Sequence, residues 1–147
     1  MESKVVKELN GVLKGEQMAV DIYENYIKSI EDEKVKKEFI EIRNDHKQHV
    51  GQLEQRISQL GGEPESGTGI GGFMANAKTL WEAKTNDTLD ILKKAYEGEN
   101  KGLAMVEEIV KGDLDEDSEK LIKDMRNVDK RHLKSMGEMI EDFENKH

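Results

Sequence analysis

Apolar positions recur every seven residues along four long stretches of the chain, and each stretch carries two such rows. The first runs from about Lys4 to Ile30, with Leu9, Glu16, Tyr23 and Ile30 in one row and Leu13, Val20 and Ile27 in the other. The second runs from about Lys34 to Leu60 and sets Phe39, His46, Leu53 and Leu60 beside Val35, Ile42 and His49. The third, about Thr88 to Lys111, has Leu92, Glu99 and Val106 beside Leu89, Tyr96, Leu103 and Val110. The fourth, about Ser118 to Glu144, has Ile122, Asp129, Met136 and Phe143 beside Met125, His132 and Met139. Two rows at this spacing make the seam of an antiparallel bundle, so the pattern predicts an all-α chain of four long helices.

The connections between these stretches differ in kind. Only a few residues near Glu31 to Glu33 separate the first two, and GDLDED, residues 112–117, separates the last two. Short links make antiparallel neighbours. GGEPESGTGIGG, residues 61–72, separates the second from the third and holds the only proline, Pro64. Gly61 is placed to end the second helix as a left-handed cap. FMANAKTLWEAKTN has helical spacing at Phe73, Ala77 and Leu80 or Trp81 and predicts a short helix, with Asp87 or Thr88 capping the third long one. The expected order is helix pair, long crossover containing a short helix, helix pair.

Composition changes this picture little. The chain has 147 residues, 35% hydrophobic and 37% charged, a balance that leans toward disorder until the periodicity is taken into account. Its length suits one domain over residues 1–147. A formal net charge of −9 argues against a nucleic-acid surface. The absence of cysteine removes disulfides, thiolate catalysis and iron–sulfur clusters. MESKVVKELNGVLKG has no apolar core of a signal sequence and no apolar run reaches membrane length, so a cytoplasmic protein is expected.

The two halves repeat. Residues 13–60 align with 96–143 without a gap, and 12 of the 48 positions are identical, among them Gly15/Gly98, Glu16/Glu99, Arg43/Arg126 and His49/His132. Chance would give roughly three or four in a chain this rich in Lys and Glu. A duplicated helical hairpin packed on its copy about a pseudo-two-fold axis accounts for the repeat.

Six ionisable residues interrupt the apolar rows: Glu16, His46, His49, Glu99, Asp129 and His132. Burying them in one layer is very costly unless their charge is compensated, and a pair of divalent metal ions compensates it. His46 and His49 share a helix face at i, i+3, and so do Asp129 and His132. Glu16 precedes His46 by the same interval as Glu99 precedes Asp129, so matching hairpins set each glutamate level with its partner pair. All six are therefore candidate metal ligands. A layer of histidines hydrogen-bonded to carboxylates without metal is the plain alternative. Tyr23 reads chiefly as a core tyrosine, with a hydrogen bond to a ligand as its functional alternative. Arg43 and Arg126 read as surface pairing residues, Met125, Met136 and Met139 as core filling, and DLDEDSE as a solvated loop and helix start. Trp81 and Phe73 are expected to pack against the bundle or a second subunit. Whether Asp45, beside the ligand pair, turns inward is open.

GEQMAVDIYENYI, HKQHVGQLEQRISQLGGEP and YEGENKGLAMVEE resemble the rubrerythrin-related branches of the ferritin-like superfamily. The glycine-rich stretch with GGFMANAKTLWEAKTND particularly resembles a bacterial ferritin-like family of unknown function. The resemblance implies a four-helix bundle with a left-handed crossover and a carboxylate-bridged di-iron centre that reacts with oxygen or peroxide. By position, Glu16 and Glu99 match the single-helix glutamates, and His49 and His132 the histidines of the two ExxH motifs. His46 and Asp129 stand where the superfamily has bridging glutamates, which implies an asymmetric centre with Asp129 as the bridge. Three carboxylates and neutral histidines leave one positive charge on two divalent ions, so an exogenous anion or hydroxide is expected. The mixed nitrogen and oxygen set suits iron, with zinc or manganese as alternatives. Without a cysteine-ligated rubredoxin domain, a peroxidase cycle would draw on an external electron donor. The resulting expectation is a stress-related di-iron oxidoreductase, ferroxidase- or peroxidase-like, with a homodimer as one assembly. The alternatives are a non-catalytic metal-binding or sensing bundle, or a structural stress or coat protein with a remnant site.

Overall fold

The computed structural model describes residues 3–65, 87–110 and 112–146. Among them are four helices and no strand: α1, Lys4–Ser29; α2, Glu33–Gln59; α3, Thr88–Ile109; and α4, Glu116–Lys146. The short helix expected near Phe73 to Trp81, and His147, lie outside the described residues.

Several helix boundaries have a local cause. Ser3 accepts from the Val6 amide at 3.1 Å, and Asp32 from the Val35 amide at 3.0 Å, each satisfying one of the free donors of a first turn. Asp115 does the same for the Ser118 amide at 3.2 Å, and its carboxylate also takes Arg56 from α2 at 2.5 Å. The acidic run is thus a loop and helix start, as expected. Asp87 takes the N-cap position of α3. At the end of α2, Gly61 has φ +80°, and the amides of Gly61 and Gly62 bond back to the carbonyls of Ser58 and Ile57, both at 3.0 Å. Such a left-handed stop is favoured by glycine.

α1 pairs with α2 and α3 with α4, and the hairpins meet through α1 on α3 and α2 on α4. Two apolar clusters fill the bundle. One joins Tyr23, Tyr26 and Ile30 of α1 to Val35, Phe39 and Ile42 of α2, Ile91 and Leu92 of α3, and Met136 and Met139 of α4. The other joins Leu9 and Leu13 to Leu53, Ile57, Ile122 and Met125, with Val106 and Ile109 packed against it. These memberships fix the directions: α2 and α3 run the same way, and α1 and α4 run against them. Residues 63–65 lie along α1. The buried Asn10 donates to the Glu63 carbonyl at 3.1 Å and accepts from the Glu65 amide at 2.9 Å, and Gln17 donates to the Glu65 carbonyl at 3.1 Å.

Two details differ from the seven-residue rows. On α3 the buried stripe is Ile91, Leu92, Ala95, Glu99 and Leu103, while Tyr96 is 37% exposed. The stripe follows the 3.6-residue period of a straight helix rather than a strict seam, which moves position 96 off the contact face. Asn10, 1% exposed, was not visible as a polar core residue because it neighbours the row at Leu9 rather than interrupting it.

Candidate metal centre

The six ionisable residues that interrupt the rows come together in one layer between the two apolar clusters. α1 supplies Glu16, α2 His46 and His49, α3 Glu99, and α4 Asp129 and His132, and all are at most 8% exposed. Their atoms form two overlapping groups, Glu16, His46, His49 and Asp129 in one, and His46, Glu99, Asp129 and His132 in the other. Within each, the nitrogens and oxygens lie within 4.8 Å of one another, the packing a metal ion needs.

Both ring nitrogens of His46 are engaged. Nδ1–H donates to Glu16 Oε2, and Nε2 lies 2.5 Å from Glu99 Oε1. His49 Nδ1–H donates to the other oxygen of Glu16 at 2.9 Å. Tyr23, buried and stacked on the His46 ring at 5.6 Å, donates its hydroxyl to Glu99 at 2.9 Å. Tyr23 is therefore more than a core tyrosine. His132 Nε2–H donates to Asp45 Oδ2 at 2.8 Å, so Asp45 does turn toward the layer. That bond leaves Nδ1 of His132 facing inward, 3.6 Å from both Glu99 Oε1 and Asp129 Oδ1. His132 Nδ1 and Asp129 Oδ1 are buried with no hydrogen-bond partner among the described residues.

The electrostatics follow from this crowding. Burial raises the pKa of Glu16 and Glu99, but the facing histidines outweigh it and hold both below the ordinary 4.5. Burial opposes a charge on His46, but Glu99 and Glu16 prevail and lift its pKa well above 6.5. Burial opposes a charge on His132 as well, but the nearby Glu99 carboxylate and the hydrogen-bonded Asp45 outweigh it and raise its pKa. Asp129 Oδ1 has no hydrogen-bond donor among the described residues, and the charges of His46 and His49 only partly offset what raises it. Burial, then the charges of Glu16 and Glu99, push it up to about 7. The Tyr23 hydroxyl, buried beside Glu99, is raised well above 10 and stays a donor.

A cavity of about 420 Å³ lies between α1 and α3, lined by Ala19, Ile22, Tyr26, Gly98 and Gly102 and reaching Glu16, His46, Glu99 and Asp129. The remaining candidates stay out of the layer. Arg126 pairs with Glu107 at 2.5 Å, and Arg43 with Asn44 at 3.2 Å. Met125 lies in one apolar cluster, and Met136 and Met139 in the other. Trp81 and Phe73 lie outside the described residues.

A family model described as "Domain of unknown function (DUF2383)" matches residues 4–112. The chain belongs to this family. The DUF2383 match spans α1, α2 and α3 and so includes Glu16, His46, His49 and Glu99, while Asp129 and His132 follow its end. No curated protein and no solved structure matches the chain. No helix among the described residues is long and apolar enough to cross a membrane.

Proposed function

We propose that this chain is a cytoplasmic ferritin-like protein, one domain over residues 1–147, whose polar layer holds two metal ions, iron in preference to zinc or manganese. Glu16, His46, His49, Glu99, Asp129 and His132 are the proposed ligands. The observation that carries the reading is the pair of orphaned atoms, Asp129 Oδ1 and His132 Nδ1. Leaving such atoms buried and unbonded costs about 1–3 kcal/mol each, and a cation between them removes that cost. The donor set fits: oxygen and imidazole ligands suit a divalent first-row ion. The ferritin-like reading, with a long crossover between the hairpins, is supported by α2 and α3 running the same way and by residues 63–65 turning back along α1.

Bound iron would supply one-electron chemistry with oxygen or peroxide, which makes the protein ferroxidase- or peroxidase-like and stress-related. The side chains hold and orient. Tyr23 fixes Glu99, and Asp45 fixes the tautomer of His132 so that Nδ1 offers its lone pair. Asp129, with its pKa near neutrality, can hold or release a proton. The α1–α3 cavity gives a small oxidant a way in. An external donor would supply electrons, and a homodimer is the proposed assembly.

Ferrous iron added without oxygen to the metal-free protein should bind and raise the melting temperature. Admitting oxygen should then produce a ferric charge-transfer absorption. Binding without that response would favour a storage-free sensing or carrier module. An unchanged melting temperature would leave only a structural bundle. His49→Ala and His132→Ala should each weaken binding, and unchanged affinity in both would count against these ligands.

A further inference from the structure

We propose that His46 binds both metal ions at once, through Nδ1 to the ion held with Glu16 and His49 and through Nε2 to the ion held with Glu99, Asp129 and His132. The proposal rests on the two-ion reading above. A histidine serving one ion turns its other nitrogen to an acceptor outside the centre, as His132 does with Asp45. His46 has no such outward bond. Its Nδ1 faces Glu16 from one hairpin, and its Nε2 lies 2.5 Å from Glu99 of the other. The ring is 3% exposed, stacked on Tyr23, and set 5.8 Å from the His49 ring and 5.3 Å from the His132 ring, centre to centre. A half-turn about its Cβ–Cγ bond would break both contacts and bury the ring nitrogens elsewhere. His46 also belongs to both four-residue groups, a property it shares only with Asp129.

Charge supports the same role. Three carboxylates cancel three of the four charges on two divalent ions. A ring bound through both nitrogens has released its second proton to solvent and brings the fourth negative charge. The layer is then neutral from its own side chains, and the exogenous anion expected from neutral histidines is not required.

Copper(II) is a suitable probe because it binds such ligands most tightly among the divalent first-row ions and reports its neighbour magnetically. One equivalent should give an isolated electron paramagnetic resonance signal. A second equivalent should bind and reduce that signal, because the two spins couple through the ring. With two ions bound per chain, as measured by metal content, the coupling should disappear in His46→Gln and persist in Asp129→Asn, with helicity checked by circular dichroism. Two bound ions with a doubled, uncoupled signal would overturn the bridge and leave the two-ion site standing. Loss of coupling in Asp129→Asn with two ions still bound per chain would assign the bridge to Asp129 and overturn the proposal even if His46→Gln fails to fold. Saturation at one ion per chain would remove the bridge and the paired centre together.

Discussion

At the scale of single residues, the layer is a balance of charges that changes with pH. Glu16 and Glu99 have folded pKa values below 4.5, so the stability they add is complete above that value and is lost as pH falls through their folded values. His46 and His132 are shifted upward, so theirs is complete below 6.5 and is lost as pH rises through their folded values. Asp129 loses stability over the range from its ordinary 3.8 to about 7, because its buried carboxyl is held protonated beside two glutamates. The three trends together predict that the metal-free protein melts at a lower temperature at about pH 8 than at about pH 5–6. Asp129→Asn should shrink the part of that fall below pH 7, since an amide does not titrate. Metal ions compete with protons for the same atoms, so the gain in melting temperature on adding zinc should grow across the same interval. Thermal melts at matched ionic strength measure both effects, and a gain that shrinks with rising pH would contradict the ligand assignment.

At the scale of the helices, the end of α2 is the most demanding junction. A Cβ on Gly62 would lie 2.6 Å from Val6 Cγ1 and 2.9 Å from Cγ2, and Val6 is 3% exposed with a short, branched side chain that has little room to retreat. Gly62→Ala should therefore cost about 1–3 kcal/mol, read as a lower melting temperature with helicity retained. Val6→Ala in the same chain should recover part of that loss, a non-additivity expected for groups in contact. Gly61→Ala should cost about 1–2 kcal/mol through its left-handed backbone and gain nothing from Val6→Ala. Gly61 was legible from sequence because a helix that stops before glycine and proline has few other ways to end. Gly62 was not, since its constraint is a neighbour more than fifty positions away. The four helices were legible because their rows hold register over several turns. The turning of Tyr96 to solvent was not, because heptad and 3.6-residue patterns diverge only slightly within one helix of this length. Asp45 and Tyr23 show the same limit from the other side. Each acts across the bundle on a residue of the other hairpin, and nothing local to either marks its partner.

At the scale of the whole molecule, the two repeated hairpins bring together a polar layer whose halves are built alike but supported differently. The repeat sets Asp45 against Val128 and Tyr23 against Val106. Asp45 orients His132 and Tyr23 orients Glu99, so both polar supports of the first hairpin serve proposed ligands of the second. The valines at the mirrored positions can offer His49 and Glu16 no hydrogen bond. The orphaned atoms lie on the supported side, at Asp129 and His132, while both oxygens of Glu16 are already taken by His46 and His49. An ion entering beside Asp129 and His132 satisfies two unpartnered atoms and displaces only the contact of Glu99 with His46, whereas one entering at Glu16 and His49 must displace the bonds to both oxygens of Glu16. Titration calorimetry should therefore resolve two steps, the tighter belonging to the α3–α4 side. Asp45→Ala should weaken the tighter step by about 10–100-fold and leave the other nearly unchanged, the size expected for removing a carboxylate that orients a ligating histidine. Val128→Asp should tighten the weaker step by giving His49 the partner that His132 has. Equal steps in the unaltered chain, or an equal loss in both with Asp45→Ala, would mean that the two halves work as equivalents despite their different supports.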